Sequence, residues 1–291
     1  MPVTIVVPLD GTTYADRALP VADLIARRSG GSIVLVAKKG DAMPLDLDGF
    51  LDVHANRLRI NASHAVFNTG TADEAISAVA ARHPNAIVVM ASHGHTAIGE
   101  IVLGGVTARV LHDVKAPVLL LGPHVDVAGD AEKKPLAFAT MLVCVDGSKT
   151  GEAAVALARR WATTLALNAW IVQVIDPPDF PLGAPPAHER VNEAGYVAGL
   201  AHELEKGGIT TGYDVLHDAH PARAIVRFAR GLPNPIIAMA THGRTGLSRI
   251  AMGSVAMDVV RHANCPVLVS RPSGLDSAEP TNSWEADHAT V

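Results

Sequence analysis

The 291-residue chain carries one unit twice, and that repetition restricts the folds open to it more than any other feature. Near the start stands TIVVPLDGTTYADRALPVADLIARR and past the middle stands MLVCVDGSKTGEAAVALARRWA, each a β-rich run that ends in Asp-Gly and passes into an Ala-rich helical stretch. Later in the copies come AIVVMASHGHTAIGEIVLGGVTARVLHDVKAPVLLLGP and PIIAMATHGRTGLSRIAMGSVAMDVVRHANCPVLVSRP, which align without a gap. Asp10 matches Asp146 at an offset of 136, whereas Gly94 and Gly243, Gly104 and Gly253, and Pro117 and Pro266 match at 149. The second copy is thus 13 residues longer in between, and the Pro-rich stretch 177–186 is the expected insertion.

Five short β-branched runs recur in each copy, at 3–9, 32–37, 63–67, 86–91 and 117–121, then at 141–145, 169–175, 210–216, 235–240 and 266–270. Most are continuously apolar rather than alternating, as strands buried on both faces must be. The helical stretches between them are long enough to carry parallel crossovers. The expected class is therefore α/β: two tandem doubly wound domains, each a five-stranded parallel sheet with helices on both faces. The domains are expected at 1–123 and 139–272, with 124–138 as linker and 273–291 as a polar, flexible tail. The length suffices for two independent cores.

Composition removes whole classes of function. With 48% hydrophobic and 18% charged residues the chain is neither disordered nor a coiled coil. A net charge of −5 leaves no overall basic field for a nucleic acid or an anionic membrane. The two cysteines, Cys144 and Cys265, are too few for a disulfide framework or a four-thiolate metal site, and their apolar neighbours point to packing. The first ten residues hold no basic leader and no run of 18 apolar residues occurs, so a cytoplasmic protein is expected. Fourteen histidines include the spacings His93-Gly94-His95 and His217 to His220, but neither has partners that complete a tetrahedral set, so no metal site is assigned.

In open α/β sheets, ligands gather at the carboxyl ends of the strands, where helix N-termini point inward. In the second copy that region holds Asp146-Gly147-Ser148 after the first strand, Ala240, His242 and Gly243 after the fourth, and Gly253-Ser254-Val255 at the start of the last helix. Gly243 lets the backbone come close to a ligand, Gly253 and Ser254 offer amides and a hydroxyl, and Arg244 and Arg249 bring positive charge, which together make a phosphate cradle.

These residues resemble the universal stress protein family, whose nucleotide pattern is Gly, two residues, Gly, nine residues, Gly-Ser/Thr. The second copy reads Ala240, Gly243, Gly253, Ser254, with alanine in place of the first glycine. The resemblance covers about residues 2–123 and 139–272 and implies a Rossmann-like, adenine-nucleotide α-hydrolase-like fold that binds ATP with Mg. It places Asp146 near the ribose and the metal-bound phosphates, Val174 near the adenine, and Gly243, Gly253 and Ser254 on the phosphates. The first copy offers Asp10, Gly11, Val36, Gly94, Gly104 and Gly105 at a weaker, degenerate site, because Gly105 lacks the hydroxyl of Ser254, Glu100 stands for Arg249 and His95 for Arg244. The resemblance further implies an intramolecular pseudo-dimer through the last strand of each half, and leaves further homodimerisation open.

Three functions follow from this reading: an ATP-binding regulatory protein of the stress response, a slow ATP hydrolase using the same cradle, or an interaction protein that needs no nucleotide. No Glu or Gln near the second glycine loop is an obvious water-activating group, so no catalytic residue is assigned. The chain lacks G-x-x-x-x-G-K-[ST], G-x-G-x-x-G and G-x-S-x-G, which removes the main support for a P-loop motor, a conventional dehydrogenase and a serine hydrolase. Asp10 and Asp146 have a plainer reading as turn-forming or helix-capping residues ahead of Thr12 and Ser148.

Overall fold

The computed structural model describes residues 2–40, 43–58, 60–92, 103–127, 136–175, 187–240 and 252–270. The first half runs β1 (Thr4–Leu9), α1 (Thr13–Asp16), α2 (Ala18–Ser29), β2 (Ser32–Lys38), α3 (Leu47–Ala55), β3 (Ala62–Phe67), α4 (Ala72–Ala81), β4 (Ala86–Ala91), α5 (Gly105–Asp113) and β5 (Val118–Leu121). The second half follows the same plan without a counterpart of α1: β6 (Thr140–Val145), α6 (Lys149–Leu165), β7 (Asn168–Ile175), α7 (Ala187–Lys206), β8 (Thr211–His217), α8 (Pro221–Ala229), β9 (Pro235–Ala240), α9 (Ser254–His262) and β10 (Val267–Ser270). All ten strands anticipated from the apolar runs are present, within a residue at either end.

The strands form one ten-stranded sheet in the order β3-β2-β1-β4-β5-β10-β9-β6-β7-β8. Every neighbouring pair within a half is parallel, and the halves meet in the antiparallel pair β5–β10. Leu119 faces Leu268, Val118 faces Val269 and Leu120 faces Val267. Leu119 and Leu268 are equivalent residues of the repeat, so a local two-fold passes between them and the short apolar edge strand of each half is covered by its counterpart in the other. Gly122 seals the junction: a Cβ there would lie 2.2 Å from the carbonyl oxygen of Val260 in α9. Arg28 donates to the carbonyls of Phe138 (2.7 Å) and Leu165 (3.3 Å), and Arg160 to the side-chain oxygen of Asn85 (3.0 Å), tying the halves further.

The core is not divided by half, as two independent cores would be. Successive strand residues alternate between two buried clusters, one on each face of the sheet, and each cluster draws on both copies. One lies under α2, α3, α6 and α7 and holds Ile5, Leu35, Val143 and Trp161; the other lies under α4, α5, α8 and α9 and holds Val6, Val88, Leu142 and Val259. The segment between the copies joins the first cluster through Val125, Val127 and Phe138, whose apolar side chains lie too far apart in sequence to show a period. Most of the extra length of the second copy is helix: α7 has 20 residues where α3 has 9. Residues 177–186 lie outside the described residues.

Cys144 and Cys265 both sit in the second cluster. Burial, with Cys265 nearby, pushes the Cys144 thiol far up, and burial holds Cys265 at about 12. Because the thiolate is the reactive form, both thiols are expected to resist a disulfide reagent such as dithionitrobenzoate in the folded protein and to react within seconds in guanidinium. Rapid native labelling of either would show that this layer opens.

Candidate functional site

Both copies start their first turn in the same way. Asp10 accepts from the amide (3.0 Å) and hydroxyl (2.5 Å) of Thr12, whose oxygen in turn accepts from the amide of Ala15 (3.1 Å) and caps α1. Asp146 accepts from the amide (3.1 Å) and hydroxyl (2.6 Å) of Ser148, and Ser148 caps α6 by accepting from Gly151 (2.9 Å). Gly11 and Gly147 sit at φ +79° and +80°, a left-handed conformation that glycine adopts without strain. The turn-forming role of both aspartates is therefore present, and it fixes each carboxylate at the carboxyl end of the first strand.

In the first half, Asp10 is one wall of a cavity of about 280 Å³. The cavity lies where the sheet order reverses between β1 and β4, the place where open α/β sheets take ligands. Val36 and Lys38 of β2, Ile76 of α4, and Gly104 and Gly105 at the head of α5 complete its main features. Ser92, just past β4, locks the far side: its amide donates to Leu121 (2.9 Å), and its carbonyl accepts from the amide of Gly104 (3.0 Å) and the hydroxyl of Thr107 (3.3 Å). Ser92 and Thr107 were not singled out from sequence, since nothing in the Ser-His-Gly run shows that its serine works through the backbone.

The heads of α5 and α9 differ from those of the other helices. Side chains of Thr12, Asp46, Thr71 and Ser148 cap α1, α3, α4 and α6, but α5 and α9 begin at Gly104 and Gly253 with no side-chain cap. Their backbones, at φ −59° and −65°, do not require glycine. Ser, Thr or Asp is the stabilising choice at such a position, so glycine here leaves the first-turn amides without a cap from the N-cap side chain. Among the helices whose N-cap residue is described, the others without a side-chain cap are α2, which continues from α1, and α8, which starts with Pro221.

In the second half the described candidates fall at the corresponding places: Asp146, Gly147 and Ser148 after β6, Val174 on β7, Ala240 at the end of β9, and Gly253, Ser254 and Val255 at the head of α9. Ser254 and Val255 also line a groove of about 540 Å³ with Arg223, Arg227 and Arg230 of the α8 region. His242, Gly243, Arg244 and Arg249 lie outside the described residues, as does Gly94 in the first half. The strand registers match Val36 with Val172 and Lys38 with Val174. Val36 and Val174 are thus two residues out of step, and the first half presents a lysine where the second presents a valine.

An ion pair missed in the sequence braces the first half. Arg109 of α5 donates from Nε to the buried Asp73 of α4 at 2.6 Å. Burial raises the Asp73 carboxyl, but the hydrogen bond and charge of Arg109 and the backbone amide outweigh it and hold the group below its usual range. A carboxylate lowered on folding contributes stability above its unfolded pKa of about 3.9 and loses it as pH falls through that range. The gap in Tm between the protein and its Asp73→Asn variant is therefore expected to be widest near neutrality and to close below about pH 4; a gap that widens in acid would reverse the assignment.

Comparison with known proteins now decides the family. The profile of the universal stress protein family matches residues 37–122 and 137–271, most of the chain and both copies. The chain belongs to the universal stress protein family. The second match takes in β6 and Asp146, whereas the first begins at Ala37 and leaves out β1 and Asp10. A universal stress protein of Mycobacterium tuberculosis is 28% identical over 193 residues, 64% of this chain and 62% of the relative. One from Mycolicibacterium smegmatis is 30% identical over 195 residues, with the same coverage. The matched region thus spans about six tenths of the length of these curated relatives. A universal stress protein of Archaeoglobus fulgidus shares the fold, with a TM-score of 0.66 over 92% of this chain and 98% of that one at 19% identity.

Proposed function

We propose that this universal stress protein is a regulatory protein of the stress response that binds an adenine nucleotide, ATP with Mg, at the carboxyl ends of its strands, principally in the second half. The observation that carries the reading is the pair of glycine-headed helices, α5 and α9, each leaving its first-turn amides without a side-chain cap at the topological switch point. The residues fit such a ligand: first-turn amides and the hydroxyl of Ser254 suit phosphates, the carboxylates of Asp10 and Asp146 suit a ribose or a metal-bound phosphate, and the apolar cavity wall suits a base. The bound nucleotide would supply the polyanion whose contacts bias one conformation or assembly over another. Support for the second half as the principal site comes from Ser254, from Arg244 and Arg249 in its sequence, and from the longer family match.

The test is to denature freshly purified protein, identify the released nucleotide by chromatography and count it per chain. At least one adenine nucleotide per chain, or its uptake from added Mg-ATP, is expected. Protein that carries none and takes up none is a nucleotide-independent interaction protein. Single-turnover phosphate release separates binding from hydrolysis, and slow or absent release is expected.

A further inference from the structure

The first half looks poor in phosphate ligands when its glycine loop is set beside the second, with His95 for Arg244, Glu100 for Arg249 and Gly105 for Ser254. The folded chain returns a cation to that place from another direction. Arg109 lies four residues after Gly105 on α5, and helical side chains reach back toward the N-terminus, so its guanidinium comes to the head of the helix. Its Nη1 lies 3.5 Å from where a Cβ on residue 105 would stand, the place from which the Ser254 side chain departs in the second half. The guanidinium thus occupies the neighbourhood that a serine hydroxyl has there.

We propose that Arg109, held by Asp73, is the anion-binding group of the first cavity, and that it makes this half a phosphate-ester site of its own rather than a remnant. The idea rests on the nucleotide reading given above. Arg109 spends Nε on Asp73, and among the described residues its remaining N–H groups have no protein acceptor. Asp73 is buried and fixes the plane of the fork, which makes it a positioning residue. Lys38 is the cation of the cavity wall itself, at the point where the other half has Val174, and Arg109 stands outside that wall, next to Gly105, which lines it. The second half reverses the arrangement: at the positions of Asp73 and Arg109 stand Ala222 and Asp258, and Asp258 pairs with Arg261 (3.4 Å). Cations near the phosphates come from the helix in one copy and from the loop sequence in the other.

The experiment uses the full chain carrying Gly253→Asp, which closes the second cradle, and titrates it with ATP by calorimetry at two salt concentrations. One remaining site per chain is expected. Arg109→Gln in that background should weaken it by about 10-fold or more, the usual worth of a charge-assisted hydrogen bond, and flatten its salt dependence. Arg109→Lys, which retains a charge for Asp73 and guards against loss of folding, should give a smaller loss. Asp73→Asn should weaken binding while leaving the salt dependence in place. If the Gly253→Asp chain binds nothing while the unaltered chain binds one ATP, the first half is no site and the proposal falls while the nucleotide reading stands. If Arg109→Gln folds and binds as tightly as its parent, the cavity is a site but Arg109 is not its anion ligand. If the unaltered chain binds no ATP at all, both readings fall together.

Discussion

Gly122→Ala is expected to lower the unfolding temperature by about 5 to 10 °C. The Cβ would stand 2.2 Å from the Val260 carbonyl oxygen, and no side chain can move aside to relieve it. Either α9 or the end of β5 must shift, and such overpacking costs about 1 to 3 kcal/mol where neighbours can yield and more where they are backbone. The location multiplies the effect, because Gly122 follows β5, whose residues Val118, Leu119 and Leu120 pair with β10 to join the halves. Arg17 donates to the carbonyls of Gly122 and Pro123, so a shift there also disturbs an anchor reaching back to the start of α2. Thermal unfolding followed by circular dichroism gives the value. An unchanged Tm would mean that the two halves do not unfold as one cooperative unit through this junction.

Gly253→Asp is expected to remove nucleotide from the second half, weakening it by about 100-fold or more, while Tm stays level or rises. At φ −65° the backbone accepts any residue, and an aspartate at a helix head both caps first-turn amides and complements the helix dipole. The same carboxylate occupies the amides that a phosphate needs and repels the phosphate itself. Opposite signs for stability and affinity distinguish a cradle kept open for a ligand from a glycine kept for packing. Equilibrium dialysis against labelled ATP, alongside a melting curve, reads both. A fall in Tm with no change in binding would make Gly253 a packing residue.

The sheet was legible from sequence because its strands are buried on both faces. Runs such as IVVPL, IVVMA and VLVS have no polar face to confuse their period, and the same order appears twice. The positions of Asp10, Asp146, Gly104 and Gly253 were legible for a related reason, as each lies next to such a strand or opens the helix that leads into one. What escaped was information that exists only between elements. Asp73 and Arg109 are 36 residues apart and meet only because α4 and α5 pack side by side on one face. The mismatch of Val36 with Val174 could not be seen until the registers of β1–β2 and β6–β7 were laid together. Val125, Val127 and Phe138 read as linker because a segment that crosses one edge of a core has no repeating period. The division of the core by sheet face rather than by copy follows from the β5–β10 pairing, which resemblance implied but which no local pattern in VLLL or VLVS can distinguish from an ordinary edge strand.

The central claim is that the glycine-headed helices α5 and α9 are phosphate cradles. The most direct measurement is a crystal structure of the full chain grown with Mg and a non-hydrolysable ATP analogue. The account requires the phosphates to lie on the first-turn amides of α9, with Asp146 beside the ribose or the metal, and a phosphate in the first half to lie within hydrogen-bond reach of Arg109. A nucleotide bound elsewhere, or capping-type contacts at Gly104 and Gly253 with no ligand at saturating analogue, would contradict it.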